Sequence, residues 1–264
     1  MFHEEVFMTR LGKILSGWAI TLSALMPLTS AAYLVPVHYQ LTYLVAQDCG
    51  LSDEESATIA WANSFTDIHP DASPGVRPNQ WTKPRYIEIR RLFHFPSSNI
   101  HEKVERNSSR ARLICEFACE NAATGEIDPI LLGMGMHGLQ DSFSHEGYGP
   151  IFGHATSQKP DYPFLRPELA EEMAEVTWNM LDLWSLKAHG IPCRNIWPVV
   201  RDDLAVLIRL RADRQDELGE LWKSEVERLL GKEVPVLSRR LDDPRAPAYL
   251  KNVERVFNSF GMAL

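Results

Sequence analysis

The chain is expected to fold as an all-α, multi-helix bundle around a buried polynuclear metal site, and three observations carry that expectation. Apolar residues recur at helical spacing along nearly the whole chain, no alternating run is long enough to make a strand, and one apolar segment carries a stripe of metal-ligand residues. That stripe is His137, Asp141 and His145, at i, i+4 and i+8. On a helix turning about 100° per residue the three fall within a sector of roughly 80°. The segment Ile130 to Met136 before them is almost wholly apolar, so burying three titratable groups there unpaired would cost several kcal/mol. A metal satisfies all three together, although a hydrogen-bonded core cluster is the simpler alternative. The two histidines would lie about 12 Å apart along the axis, which suits two ions bridged by the central carboxylate better than one.

The elements follow in order. His38 to Cys49 carries Leu41, Leu44 and Val45 on one face and stops at Gly50. Ser52-Asp53-Glu54-Glu55 is a capping-box pattern opening a helix towards Phe65. Pro70, Pro74, Gly75 and Pro78 mark a loop up to about Pro84. Helices are expected over Arg85 to Phe93 and around Arg110 to Ala122, and Asp128-Pro129 reads as the N-cap and first residue of the stripe helix, with Gly147 as its stop. Gly133, Gly135 and Gly138 lower helix propensity and point to close approach of neighbouring backbone. Beyond a Gly- and Pro-rich loop at 147–163, Pro167 to Ala188 is amphipathic, Asp202 to Leu230 reads as one or two helices, and Ala248 to Phe260 as the last.

Composition narrows the function classes. With 264 residues, 45% of them hydrophobic, the chain can bury a substantial core. Its formal charge of −8, and the lack of a basic run interleaved with aromatics, give no footprint for gripping duplex nucleic acid. From Ile14 to Val37 no residue is charged, Arg10 and Lys13 precede that run, and Thr29-Ser30-Ala31-Ala32 are small. Residues 1–32 therefore read as a signal peptide and 33–264 as one domain, secreted or periplasmic; the competing reading is a membrane anchor through residues 14–37. In an oxidising compartment the four cysteines can pair. Cys49, Cys115, Cys119 and Cys193 have no CxxC spacing, and Cys115 and Cys119, at i, i+4, fit either two core thiols or a bridge.

His38, Asp67, His94 and His154 lie near helix ends around the stripe, where a bundle can gather them into one cavity. In this order, with His38-Tyr39, Ile59-Ala60-Trp61-Ala62 before Asp67, Gly138-Leu139-Gln140-Asp141-Ser142-Phe143-Ser144-His145 and Gly153-His154-Ala155, the residues resemble the zinc-dependent phospholipase C and single-strand nuclease superfamily. The resemblance covers about residues 33 to 165 and is closest to an uncharacterised microbial branch related to it.

What the resemblance implies is specific. One zinc would be held by Asp67, His94, His137 and Asp141, a second by His145 and His154, and a third by His38 with Asp141 bridging. The second metal's carboxylate, four residues beyond the last histidine, is replaced here by Gln158, leaving Asp161 or Glu146 to substitute. The superfamily uses its mature amino terminus as a ligand of the third metal; cleavage after Ala32 would free the amine of Tyr33 for that place, where an aromatic Trp is usual. Asp67 takes the role of catalytic base and Asp141 that of bridge. His69, His101 and His189 match no family position and are expected in loops or on the surface.

The reading at this stage is a zinc enzyme of two or three ions that hydrolyses phosphodiesters, foremost phospholipid head groups, with transient contact at a membrane surface. A single-strand nuclease of the same chemistry and a non-catalytic metal-binding bundle stay open as alternatives. Trp61, Phe65, Trp81, Phe93, Phe95 and Tyr148 are either core or a platform for bases or lipid.

Overall fold

The computed structural model describes residues 33–74, 80, 83–151, 153, 161–194 and 196–260. Among these residues every regular element is helical. The α-helices are α1 Val35–Cys49, α2 Asp53–Phe65, α3 Pro84–Ile89, α4 Ser109–Ala123, α5 Pro129–Ser144, α6 Pro167–His189, α7 Trp197–Ile208, α8 Gln215–Leu230 and α9 Ala246–Ser259. A π-helical turn, Arg90–His94, continues α3, and a short 3-10 turn, Pro163–Leu165, precedes α6.

The centre of the bundle is α5. Every residue from Ile130 to Ser144 is buried, and the helix packs against α2, α4, the π turn, α6 and α9. Its start is fixed locally: Pro129 occupies the first turn, and Asp128 Oδ1 accepts from the backbone N–H of Ile130 and Leu131, both at 3.1 Å. The expected glycine contacts are present, each with a different neighbour. A Cβ on Gly133 would strike the Ile59 carbonyl of α2, and one on Gly135 would lie 2.6 Å from the Cys115 backbone nitrogen of α4. At Gly138 it would meet the Leu92 and Phe93 carbonyls of the π turn at 3.3 Å. Three backbones thus reach α5 where it has no side chains.

Around this axis, α1 packs on α2, α6 and α8, and α6 bridges α4, α5 and α7. The cap residues match the sequence: Ser52 Oγ accepts from Glu55 N at 3.2 Å, and Gly50 ends α1 at φ +97°, a conformation that glycine adopts without a Cβ clash. Cys49, at the end of α1, is disulfide-bonded to Cys193 beyond α6, while Cys115 and Cys119 are buried free thiols on α4.

Several sequence expectations change. The helix expected over Arg85 to Phe93 is α3 followed by the π turn, because the Phe95 N–H reaches back to the Arg90 carbonyl at 2.6 Å. The stripe helix ends at Ser144 rather than running to Gly147, so His145 is its C-cap, held by its N–H to the Asp141 carbonyl at 2.8 Å. Asp202 to Leu230 resolves into α7 and α8. Tyr33, Leu34, Pro36 and Val37, the end of the uncharged run, are buried in the bundle, so that part of the run is core and not membrane span. No described helix is long and apolar enough to cross a membrane; residues 1–32 lie outside the described residues.

Candidate metal centre

Four elements deliver five residues to the heart of the bundle. His38 comes from α1, Asp67 from the turn after α2, His94 from the π turn, and His137 and Asp141 from successive turns of α5. His38, His94, His137 and Asp141 have no solvent exposure, and the Asp67 side chain retains 9%.

Four donor atoms of this set form a compact group. His94 Nδ1 lies 3.0 Å from His137 Nε2, 3.3 Å from Asp141 Oδ2 and 3.7 Å from Asp67 Oδ1. His137 Nε2 lies 3.2 Å from Asp141 Oδ2 and 3.6 Å from Asp67 Oδ1. A tetrahedral zinc with ligands at about 2.05 Å has ligand–ligand edges of about 3.3 to 3.4 Å. The five separations scatter about that length, so these residues fit a metal of zinc's size after shifts of a few tenths of an ångström.

The other carboxylate oxygen faces a second donor group. Asp141 Oδ1 is 3.2 Å from His38 Nε2, and the pair lacks hydrogen-bond geometry, so both are buried polar atoms without a hydrogen-bond partner. His38, His137 and Asp141 form one potential ion-binding group, and Asp67, His94 and His137 another. Buried polar groups in proteins are nearly always satisfied. An ion between them would satisfy this pair.

The ring orientations suit ligation. His94 Nε2 donates to the Ala72 carbonyl at 2.7 Å, which leaves Nδ1 as the lone-pair nitrogen facing the cluster. His38 Nδ1 donates to Gln140 Oε1 at 2.9 Å and directs Nε2 at Asp141.

Electrostatics agree with a cation-seeking site. Burial opposes ionisation of Asp141, but the surrounding imidazoles, His137 and His145 above all and His38 with them, outweigh it, holding the carboxyl well below its usual range. For His38, burial disfavours the charged ring, yet the adjoining Asp141 carboxylate, with the Asp67 charge beyond it, prevails and its pKa rises. His137 moves down, because burial and the His38 charge are not offset by Asp141. Asp161 is buried beside the same carboxylates; desolvation, then the charges of Asp141 and Asp67, push it up to about 10.

The remaining sequence candidates separate. His145 Nδ1 donates to the His94 carbonyl, its ring stacks on Phe95 at 3.9 Å, and Nδ1 is 3.8 Å from Asp141 Oδ2. It therefore stands beside the four-donor group and not in it. Tyr33 places its ring edge-on 6.3 Å from that of His38. His154, Gln158 and Trp81 lie outside the described residues. His69, expected in a loop or on the surface, is in a turn but buried against Phe65 and Tyr249, and burial lowers its pKa. Trp61, Phe65, Phe93 and Phe95 are at most 1% exposed and belong to the interior, so they make no stacking platform. Three surface cavities, the largest about 1030 Å³ beside Phe164, Arg211 and Asp216, include none of the cluster residues.

One layer was not singled out by sequence reasoning: Gln140, Asn63, Thr42 and Thr177, all buried and hydrogen-bonded together behind His38. Polar residues in the middle of apolar helical stretches were the available signal.

Residues 35–157 match the model of a family of unknown function, DUF6765. The matched span holds His38, Asp67, His94, His137, Asp141 and His145, and ends before Asp161. No curated protein and no solved structure matches the chain.

Proposed function

We propose that the protein is a zinc-dependent phosphodiester hydrolase of phospholipase C type, exported after removal of residues 1–32. The observation that supports this reading is the four-donor group of Asp67, His94, His137 and Asp141, whose spacings match the edges of a tetrahedral site. The motif resemblance supplies the reaction class, and the Cys49–Cys193 disulfide supports an oxidising compartment.

When bound, zinc supplies a Lewis acid and lowers the pKa of a coordinated water towards neutrality. The protein's own residues do the rest. His94 and His137 turn ring nitrogens into the site, while Asp141 offers one oxygen to them and the other to His38. Asp67 turns Oδ1 to the histidines and keeps Oδ2 without a hydrogen-bond partner, so that oxygen can take a proton from an attacking water. Asp67 is also the least buried member of the four, the side from which a small phosphodiester reaches the group.

A second reading, a metal that only holds the bundle together, is favoured by the complete burial of His38, His94, His137 and Asp141. Metal analysis of protein purified without chelator comes first. Hydrolysis of phosphorylcholine esters and of single-stranded DNA, each with and without chelator, follows. Chelator-sensitive cleavage of the phosphorylcholine ester is expected; cleavage of DNA alone selects the nuclease, stoichiometric zinc with neither activity selects the structural reading, and a metal-free protein that refuses zinc overturns both.

A further inference from the structure

Behind His38 lies a polar network that decides which of its nitrogens is presented to the site. Gln140 Oε1 accepts from His38 Nδ1 at 2.9 Å and from Asn63 Nδ2 at 3.0 Å. Gln140 Nε2 donates to Thr42 Oγ1 at 2.9 Å and to Thr177 Oγ1 at 3.2 Å. Thr42 Oγ1 also accepts from Asn63 Nδ2 at 2.9 Å. All of these side chains are buried, and they come from four different helices, α1, α2, α5 and α6.

The direction of the Gln140 amide is set from outside. Thr177 Oγ1 gives its single proton to the Met173 carbonyl one turn earlier in α6, at 2.9 Å. Towards Gln140 it can only accept, so the group facing it must be the NH₂ and not the carbonyl. Turned the other way, Gln140 would set its oxygen against the Thr177 lone pairs and its NH₂ against that of Asn63. With the amide fixed, Oε1 faces His38 and requires a proton on Nδ1. The proton that His38 can give up is then the one on Nε2, the nitrogen 3.2 Å from Asp141 Oδ1.

We propose that Gln140 is a positioning residue that commits His38 to ligation through Nε2, and that Thr177 sets the polarity of Gln140. This rests on the metal reading above for its consequence, but the tautomer itself is a property of the metal-free protein. A ring free to tautomerise would spend part of its population with Nε2 protonated and unable to bind an ion. Outer partners of this kind alter metal affinity by about 10- to 100-fold.

The test uses the purified protein labelled with ¹⁵N-histidine. In metal-free protein, at a pH where His38 is neutral, the long-range ¹H–¹⁵N spectrum should show its proton on Nδ1. Gln140→Met, similar in size and without an acceptor, should populate the Nε2–H form and weaken binding of one zinc equivalent by about 10- to 100-fold. Gln140→Glu, which keeps an acceptor facing Nδ1, should restore both readouts. Thr177→Val, isosteric and milder, should shift both in the same direction as Gln140→Met, and stands in if that variant does not fold. A neutral His38 protonated on Nε2 in the parent, or a folded Gln140→Met or Thr177→Val with the parent's tautomer and zinc affinity, overturns the proposal. If the parent refuses zinc while His38 still carries its proton on Nδ1, the metal reading fails and the positioning role of Gln140 stands on the spectrum.

Discussion

His94 Nδ1 and His137 Nε2 face each other at 3.0 Å, although His94 already donates its other ring nitrogen to the Ala72 carbonyl. Two imidazole nitrogens approach so closely only with a proton or a cation between them. In the first case His137 donates to His94. In the second the two separate by a few tenths of an ångström around a dication.

Metal removal should therefore be visible without any substrate. Zinc at a hundredfold its dissociation constant should stabilise the fold by about 2.7 kcal/mol, reversed by chelator, in thermal unfolding. Asp141→Asn should lose more than one metal equivalent, because its two oxygens face different donor groups, whereas His38→Ala should lose one. Element analysis of the three proteins decides it, and equal losses in the two variants would contradict a bridging carboxylate.

Glycine replacements on α5 should be costly in order of contact. Gly133→Ala and Gly135→Ala drive a methyl group into the backbones of α2 and α4, and each should destabilise by about 3 kcal/mol or more. Gly149→Ala, where the nearest atom is the Glu102 carbonyl at 3.6 Å, should change stability by less than about 0.5 kcal/mol. Urea unfolding of the three variants checks the ranking. Gly138→Ala should act differently, nudging the π turn and lowering metal affinity more than stability, since its contacts of 3.3 Å lie beside His94.

The cysteines should divide by reactivity. Cys115 and Cys119 are buried thiols whose pKa values burial raises, Cys119 to about 12, so alkylating reagents should leave them unmodified in the native protein and label two per chain in denaturant. Reduction of Cys49–Cys193, which closes a separation of 144 residues, should cost about 2 to 5 kcal/mol while leaving the zinc stoichiometry of the folded fraction unchanged. Mass spectrometry after alkylation and urea titration with and without reductant read the two outcomes.

Asp48 supplies a pH-dependent prediction remote from the metal centre. Burial and the charge of Asp203 on α7 push its pKa up to about 6, while the exposed Arg228 of α8 faces Asp203. The folded state holds this proton more tightly than the unfolded chain. Stability is accordingly lost as pH rises from about 4 through 6, and Asp48→Asn should recover it above that range with little effect at pH 4. Discounted for partial exposure, the gain is about 1 kcal/mol, or 2 to 4 °C in Tm. Unfolding curves at pH 4 and pH 7.5 test the sign; equal gains at both would discount the carboxylate.

Much of the fold was legible because its signals are local. Asp128-Pro129, Ser52 with Glu55, and Gly50 act within one turn of themselves, and each cap lies where its residues indicate. The ligand stripe was legible for the same reason, His137 and Asp141 being one helical turn apart. The π turn was not, because Arg90-Arg91-Leu92-Phe93-His94 is ordinary helical composition, and its close approach to Gly138 is a contact between distant stretches of chain. Nor was the role of His145, which depends on the helix ending one residue earlier and on a carbonyl 51 residues away. The network of Gln140, Asn63, Thr42 and Thr177 takes shape only when four helices meet, so no single stretch reveals it.

The glycines of α5 also spell G-x-G-x-x-G, from Gly133 to Gly138, the string that marks a dinucleotide-binding turn when it follows a strand and opens a helix. Here it lies inside a helix that already began at Pro129, and its missing side chains admit three protein backbones and no pyrophosphate. A search for nucleotide-dependent proteins by that string would collect this chain for the wrong reason. Combined with a histidine just before the last glycine and an aspartate four residues after that histidine, the same letters describe a crowded helix that offers ligands between its points of contact, and that longer pattern is the one to carry into other genomes.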